Sequence, residues 1–514
     1  MRVPLTVGDF LQRAAWVYPD RVGLVDEPDE STLGGSAGSL TWAEVHQRAR
    51  AQAAGLDALG IATGDRVAIL SPNAARFAVS FFGVSGFGRI LVPINFRLST
   101  EEIAYIVDHS GATVLLVDPE HDERTASIDV KHRFVLGTAT DAELFGSTTD
   151  PELWAEPDED ATATINYTSG TTARPKGVEL THRNLWLNAV TFGLHTTVSD
   201  RDVYLHTLPM FHCNGWGMPY VLAGVGAQQV VLRKVDGADI LRRVERHGVT
   251  LLCGAPAVVA AVLDAATTWD GDIPGRGRTR IVVAGAPPPT RTIERVETEL
   301  GWEFVQIYGL TETAPLLTIN RGRSEYDALT PTERAQKLAR AGAPAVGVRL
   351  HVDEQGEVLA RSNVVLDGYW EQPEATADAI VDGWFHTGDG GEIDDEGFVN
   401  ISDRKKDVII SGGENVSSIE VEDILFSHPA VAEVCVIGVP HEKWGETIKA
   451  LVVLGDGGKA DEATLIAWCR DRLAHFKCPT SIDFRSELDR TATGKLQKFK
   501  LRAPFWEGHE RSVN

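Results

Sequence analysis

Apolar positions along the chain fall into helix-length and strand-length runs that alternate. From Thr41, residues Trp42, Val45, Ala49, Leu56 and Leu59 recur on one helical face, and Thr41 with Glu44 matches a capping box that starts it. Gly60 closes this run, and DRVAIL at 65–70 reads as a strand. The unit repeats: Ser99 and Glu102 form a second capping-box pattern, Ile103, Ile106 and Val107 give the apolar face, and Gly111 precedes the strand-like ATVLLVD. It recurs at ADILRRVERHGV followed by TLLC (238–253), while IVVAGAP (281–287) runs an apolar strand straight into Gly and Pro. Such alternation predicts an α/β fold of parallel sheets covered by helices, with ligands bound where the carboxyl ends of strands meet their loops.

The texture then changes. Residues 320–345 are polar and helix-prone, without strong patterning. From 346, the runs VGVRLHVD, GEVLARS and GEIDDEGFVNIS read as short alternating strands with Gly turns, a small β-rich subdomain. DRKKDVIISGGEN (403–415) is dense in charge and carries paired glycines, which suits a domain boundary. Beyond it, strand-like VAEVCVIGV, TIKALVVL and TSIDFRSEL alternate with helical SIEVEDILFSHP and DEATLIAWCRDRLAHF. These predict a compact α+β domain of about a hundred residues, within the usual domain size.

Length and composition narrow the setting. A chain of 514 residues is too long for one core and implies two or more domains. A net charge of −24 argues against unaided binding to nucleic acid or an anionic membrane, so an anionic substrate needs locally placed cations. Five scattered cysteines without CxxC spacing fit a reducing cytoplasm, with no disulfide framework and no zinc site. The N-terminus lacks the apolar core and cleavage site of a signal peptide. The most apolar window, near 78–96, is broken by Arg89, Pro93 and glycines, and reads as a helix followed by a strand.

The sharpest chemical signal is YTSGTTARPKGVELTH (167–182). Thr168, Ser169, Thr171 and Thr172 surround Gly170, and short hydroxyl side chains with glycine let backbone N–H groups close on an anion. Lys176, between Pro175 and Gly177, adds a mobile positive charge for a polyphosphate. A plain flexible loop is the bland alternative, and the spacing is not that of the common nucleotide P-loop.

Further strings follow. LPMFHCNGWG (208–217) places His212 among aromatics, where it could line an acyl pocket or be structural. In YGLTETAP (308–315), Glu312 could hold Mg²⁺ beside phosphates and Tyr308 could stack on a base; a surface loop with a buried tyrosine is the alternative. HTGDGG (386–391) presents Asp389 to sugar hydroxyls or makes a simple β-turn. TATGKLQK (491–498) sets Lys495 on a loop, where a merely solvated lysine would also fit.

Together and in this order, YTSGTTARPKGV, YGLTET, TGD, DRKKDVIISGGENVSSIEVE and TATGKLQK resemble the adenylate-forming superfamily, in its acyl-CoA synthetase branch. The resemblance covers nearly the whole chain. It implies an N-terminal domain at 1–402, a hinge at 403–406 on Lys406, and a mobile C-terminal domain at 407–514. It implies two half-reactions: a carboxylate attacks the α-phosphate of Mg-ATP to give acyl-AMP, and coenzyme A then displaces AMP. By this resemblance Thr168, Ser169, Gly170, Thr171, Thr172 and Lys176 grip the outer phosphates, and Thr168 and Glu312 serve Mg²⁺. Gly285, Ala286 and Tyr308 flank the adenine, with Gly309 and Thr311 in the same nucleotide site. Asp389 takes the ribose hydroxyls, and Arg404 contacts ribose or phosphate. Lys495 bridges the carboxylate and α-phosphate during adenylation. Gly413 enters the pantetheine tunnel after a domain rotation, and Trp444 packs near CoA. His212, Trp216, Gly285 and Gly309 belong to the acid pocket, with His212 also counted among the catalytic residues.

One departure stands out: Ala173 replaces the glycine usual at the sixth position of the loop. If φ is positive there, alanine costs roughly 1 kcal/mol and stiffens the loop. FHCNGW offers no aspartate for a substrate ammonium, so an amino acid is disfavoured. With Trp216 as a gate, the resemblance favours a medium- or long-chain fatty acid, the alternative being an aryl, short aliphatic or sulfur-containing acid. Free CoA is the expected acceptor, a carrier protein loaded in trans the alternative, and a homodimer is left open.

Overall fold

The computed structural model describes residues 1–27, 36–168, 174–404, 407–411, 414–441, 443–455, 457–490 and 496–507. The predicted helix starts are where local chemistry places them. Thr41 caps Trp42–Ala58 and Ser99 caps Thr100–Ser110, each with a reciprocal Glu at the third helical position. Gly111 ends the second helix with φ +62°, a conformation glycine reaches without steric cost.

Two large sheets carry the N-terminal domain. One runs Gly368–Tyr369, Lys176–Thr181, Thr162–Thr168, Ile90–Ile94, Arg66–Leu70, Val114–Val117 and His132–Val135, parallel from Thr162–Thr168 onward. The other has nine strands, whose parallel centre includes Glu303–Tyr308, Arg280–Val283, Leu251–Gly254, Val203–His206 and Gln228–Val231. One continuous apolar core joins them through helices, with Trp42, Phe77, Phe81, Phe192, Tyr204 and Tyr220 fully buried. Each such side chain contributes about 2–3 kcal/mol relative to exposure, which makes this layer the mechanical base of everything above it.

The β-rich subdomain is present as Arg349–Val352, Glu357–Arg361, Trp384–Ile393 and Val399–Arg404, with Ile380–Val381 at one edge. The chain leaves that sheet at Arg404 and enters the next at Ile409–Ser411. The small C-terminal domain packs the hairpin Val431–His441 and Gly445–Leu454, with Ser481–Phe484, under helices Ser418–Phe426 and Glu462–Arg470. Its final helix, Lys498–Trp506, is an addition to the sequence reading, and the helix-prone stretch 320–345 contains the helix Pro331–Leu338. The second has its own capping box, Thr330 with Glu333, and Pro331 in its first turn. Among the described residues no helix is long and apolar enough to cross a membrane.

Candidate active site

Strands Thr162–Thr168 and Lys176–Thr181 form an antiparallel hairpin whose last pair is Thr168 with Lys176. The segment rich in hydroxyls and glycine lies in sequence between these two strands. Ser169, Gly170, Thr171, Thr172 and Ala173 lie outside the described residues. Both flanks are fixed. The Tyr167 hydroxyl is 2.8 Å from His109 Nδ1, and Trp370 N donates to the Gly177 carbonyl at 2.8 Å. A Cβ at Gly177 would stand 2.8 Å from Ile165 Cγ2 and 3.1 Å from the Tyr167 ring, so glycine is what lets these neighbours close on the hairpin.

Lys176 projects from the first residue of the return strand, and its Nζ sits 4.7 Å from the centroid of the Tyr369 ring. The Tyr369 hydroxyl donates to Glu312 Oε1 at 3.0 Å. Glu312 lies on a single helical turn, Thr311–Thr313, after strand Glu303–Tyr308, and its carbonyl accepts from Leu366 N at 2.7 Å. The structure thus brings Lys176 and Glu312 to the two sides of one tyrosine that sequence reasoning did not single out.

A second cluster forms at the end of the same strand. The Tyr308 hydroxyl donates to Asp389 Oδ2 at 2.8 Å, and Arg404 Nε stands 3.5 Å from Asp389 Oδ1. Burial, and then the negative charge of Asp389, hold the Tyr308 phenol well above its usual range, which keeps it a donor. HTGDGG is not a turn. Asp389 lies within strand Trp384–Ile393, opposite Arg404, where the ladder shifts register between Gly390 and Gly391. A bulge of this kind re-aims a side chain without ending the strand.

Gly285 and Ala286 follow the carboxyl end of Arg280–Val283, the parallel neighbour of Glu303–Tyr308. Both are exposed, and Gly285 has φ +99°. They share an edge with Tyr308 and Gly309, as expected for a ligand site in an open α/β sheet. A Cβ on Gly309 would lie 1.6 Å from the Pro315 carbonyl oxygen, so the turn carrying Thr311 and Glu312 closes only over glycine.

The segment at 208–217, expected to line an acid pocket, is built differently. Cys213, Asn214, Gly215, Trp216 and Gly217 all have positive φ, between 44° and 78°, a left-handed turn that L-residues adopt at a cost. Buried amides hold it. Asn214 Nδ2 donates to Thr164 Oγ1 at 2.9 Å and to Asn166 Oδ1 at 3.2 Å. Asn188 Nδ2 donates to the Trp216 carbonyl at 3.2 Å, and Asn73 Oδ1 accepts from Met210 N at 2.7 Å. Phe211 and Trp216 are buried, with Trp216 3% exposed, while His212 is half-buried at the entry of the turn. Cys213 Sγ is 3.9 Å from the Thr311 carbonyl, which joins this segment to the Glu312 turn. The four asparagines were missed; the available signal was an amide inside otherwise apolar runs.

Trp444 stands apart, in the C-terminal hairpin, stacked on His441 at 4.5 Å and 40% exposed. Lys406, Gly413 and Lys495 lie outside the described residues. Mg²⁺ characteristically binds through one or two carboxylates plus substrate phosphates. Glu312, one hard oxygen donor beside a phosphate-type hairpin, fits that mode. Among the described residues no group of three or more His, Cys, Asp or Glu could form a cage.

Comparison with known proteins follows the same lines. Residues 11–370 match the family described as AMP-binding enzyme, and residues 420–495 match the AMP-binding enzyme C-terminal domain. The chain is 38% identical to a 2-methylpropanoate–CoA ligase of Humulus lupulus, over 97% of this chain and 95% of that protein. It is 37% identical to a 4-hydroxybutyrate–CoA ligase of Metallosphaera sedula, over 96% and 93%. Its fold superposes with a TM-score of 0.80 on o-succinylbenzoate coenzyme A synthetase from Bacillus subtilis in complex with ATP and magnesium ion, at 29% identity over 96% of this chain and 99% of that one.

Proposed function

The chain belongs to the AMP-binding enzyme family and is an AMP-forming acid–CoA ligase, and on that premise we propose that its acid is a short aliphatic one, of about two to five carbons. A carboxylic acid, ATP and CoA are its substrates. The observation that carries the short-acid reading is the setting of Trp216. A swinging gate for a long chain needs room to move, whereas this indole is buried in the continuous core and its own carbonyl is held by Asn188. It is better suited to be a fixed wall. The names of the two relatives, with four-carbon acids, weigh the same way. The fatty-acid expectation from the motif gives way to the short-aliphatic alternative.

In this reading the acid's carboxylate attacks the α-phosphate of ATP and expels pyrophosphate. The carboxylate needs no base; the step needs its developing phosphate charge neutralised. Lys176 and the residues Thr168, Ser169, Gly170, Thr171 and Thr172 bind the outer phosphates, and Glu312 with Thr168 would hold Mg²⁺, which when bound supplies further neutralisation there. Tyr308 holds Asp389 in place for the ribose hydroxyls, and Arg404 flanks them. Lys495 orients the acid against the α-phosphate. Rotation about Lys406 then replaces it by Gly413 and Trp444 beside CoA, whose thiolate displaces AMP.

Acid-dependent pyrophosphate release, measured from acetate to dodecanoate with aryl acids included, with and without CoA, tests the reading. The highest kcat/KM is expected between acetate and branched five-carbon acids, with acyl-CoA formed in the CoA arm. Trp216→Ala is expected to move the optimum at least two carbons upward. A wild-type optimum at octanoate or beyond would overturn the short-acid assignment.

A further inference from the structure

Tyr369 stands outside the motifs that carry the chemistry, yet it ties two of them together. Its backbone is fixed to both. Gly368–Tyr369 pairs antiparallel with Lys176–Thr181, setting Tyr369 opposite Val178. Three residues earlier, Leu366 N donates to the carbonyl of Glu312 at 2.7 Å. Tyr369 N itself donates to Thr376 Oγ1 at 2.9 Å, on the helix that follows.

The side chain divides its two chemistries between the two partners. Its hydroxyl donates to Glu312 Oε1 at 3.0 Å, and its ring lies 4.7 Å from Lys176 Nζ. A phenol is well suited to this, because the rim carries a hydrogen-bond donor for an anion and the π face attracts a cation. Lys176 and Glu312 carry opposite charges and meet the same side chain, one at the ring face and the other at the hydroxyl. A direct ion pair would satisfy both charges internally and withdraw them from phosphate and from the cation that accompanies it.

We propose that Tyr369 is a positioning residue of the ATP site: it holds the Glu312 carboxylate and the Lys176 ammonium apart across one ring. One is left to face the metal ion and the other the phosphates. The inference rests on the ATP-binding reading of this site. It adds that the anion and the cation are set by separate parts of the same side chain, and that gives a separable test. Tyr369→Phe keeps the ring under Lys176 and removes only the bond to Glu312. Tyr369→Leu removes both.

Binding of ATP to the full chain is measured by titration calorimetry in EDTA and across a Mg²⁺ series. For Tyr369→Phe, Mg²⁺-free affinity is expected within twofold of wild type, while the Mg²⁺ concentration giving half of the metal's effect rises about fivefold or more. For Tyr369→Leu, Mg²⁺-free affinity is expected to fall about tenfold as well. A purely structural role would lower both affinities together in the Phe variant, with a matching fall in Tm. Thioester formation from supplied acyl-AMP and CoA, which handles no triphosphate, is expected to lose less than either. An unchanged Mg²⁺ dependence in Tyr369→Phe, or proportional losses with and without metal, would overturn the proposal. Wild-type protein that fails to bind ATP under any condition would overturn the underlying functional reading instead.

Discussion

The proposed nucleotide side and the proposed acid side of this site are held by opposite means. On the nucleotide side, Lys176 and Tyr308 stand at strand ends, Glu312 just beyond one and Asp389 within one, and the chemistry proposed for them lies on their side chains. On the acid side, the shape is made by backbone: five consecutive residues at positive φ, pinned by buried amides from segments as distant in sequence as Asn73 and Asn214. The first arrangement lets a residue change with modest effect on stability. The second makes the shape of the acid pocket inseparable from the core.

The largest effect is expected where the two sides meet. Gly309→Ala would put a Cβ 1.6 Å from a backbone oxygen, a collision no side-chain rotation relieves. The turn bearing Thr311 and Glu312 must then move, and with it the Cys213 contact that links the two sides. Denaturant unfolding is expected to show a loss of about 3 kcal/mol or more. Pyrophosphate release is expected to fall at least a hundredfold. An active, equally stable Ala variant would mean that the turn is softer than this geometry implies.

Next comes a pair that separates the sides. Asn214→Leu removes both donors to Thr164 and Asn166 and leaves those buried groups without that partner. Thr164 Oγ1 still donates to Asn166 Oδ1, so the buried group that loses its partner is Asn166 Nδ2, and a stability loss of about 1–3 kcal/mol is expected. Asp389→Asn keeps the shape of the side chain and one acceptor for the Tyr308 hydroxyl, while removing its charge and the acceptor that faces Arg404. It is expected to raise KM for ATP about tenfold with Tm changed by no more than a degree or two. If both variants lost stability alike, the contrast between a side-chain site and a backbone site would fail.

The same contrast explains which features the sequence discloses. Capping boxes at Thr41 and Ser99 are local: the groups that satisfy one another are three residues apart, and the helices start there. The motif loops were legible because their residues lie together in sequence. Tyr369 was not, since it meets Glu312 from 57 residues away. The left-handed turn at 213–217 was hidden because only one of its three non-glycine residues, Asn214, is of a type that visits such backbone readily. For HTGDGG composition left a simple β-turn open beside the ribose-binding reading of Asp389, because its ladder to Val399–Arg404 comes from outside the string. The stretch around Thr330 read as helix-prone, but weak apolar patterning left its capping box and the bounds of its helix unread.

The smallest expected effect uses one buried histidine beneath each side. His182, in the helix after the nucleotide hairpin, accepts a hydrogen bond from Val7 N at Nδ1, and burial lowers its pKa to about 4. His206, on the strand leading into the acid segment, has its Nε2 hydrogen-bonded to Gln229 Oε1, and burial likewise lowers its pKa to about 4. Folded values lie below the unfolded value near 6.5, so the unfolded chain binds more protons, and stability rises with pH across this window. The contribution of each neutral imidazole is full above pH 6.5 and is lost as pH falls toward 4. Between pH 7.5 and 5.5 each accounts for a loss of about 1 kcal/mol. His182→Gln and His206→Gln are each expected to remove one proton from the pH dependence of the unfolding free energy over that range. Because both imidazoles lie in packed core, the two variants should agree. A pH slope unchanged in His182→Gln alone would show that the base of the nucleotide hairpin is open to water, and would extend the softer character of that side down into the core.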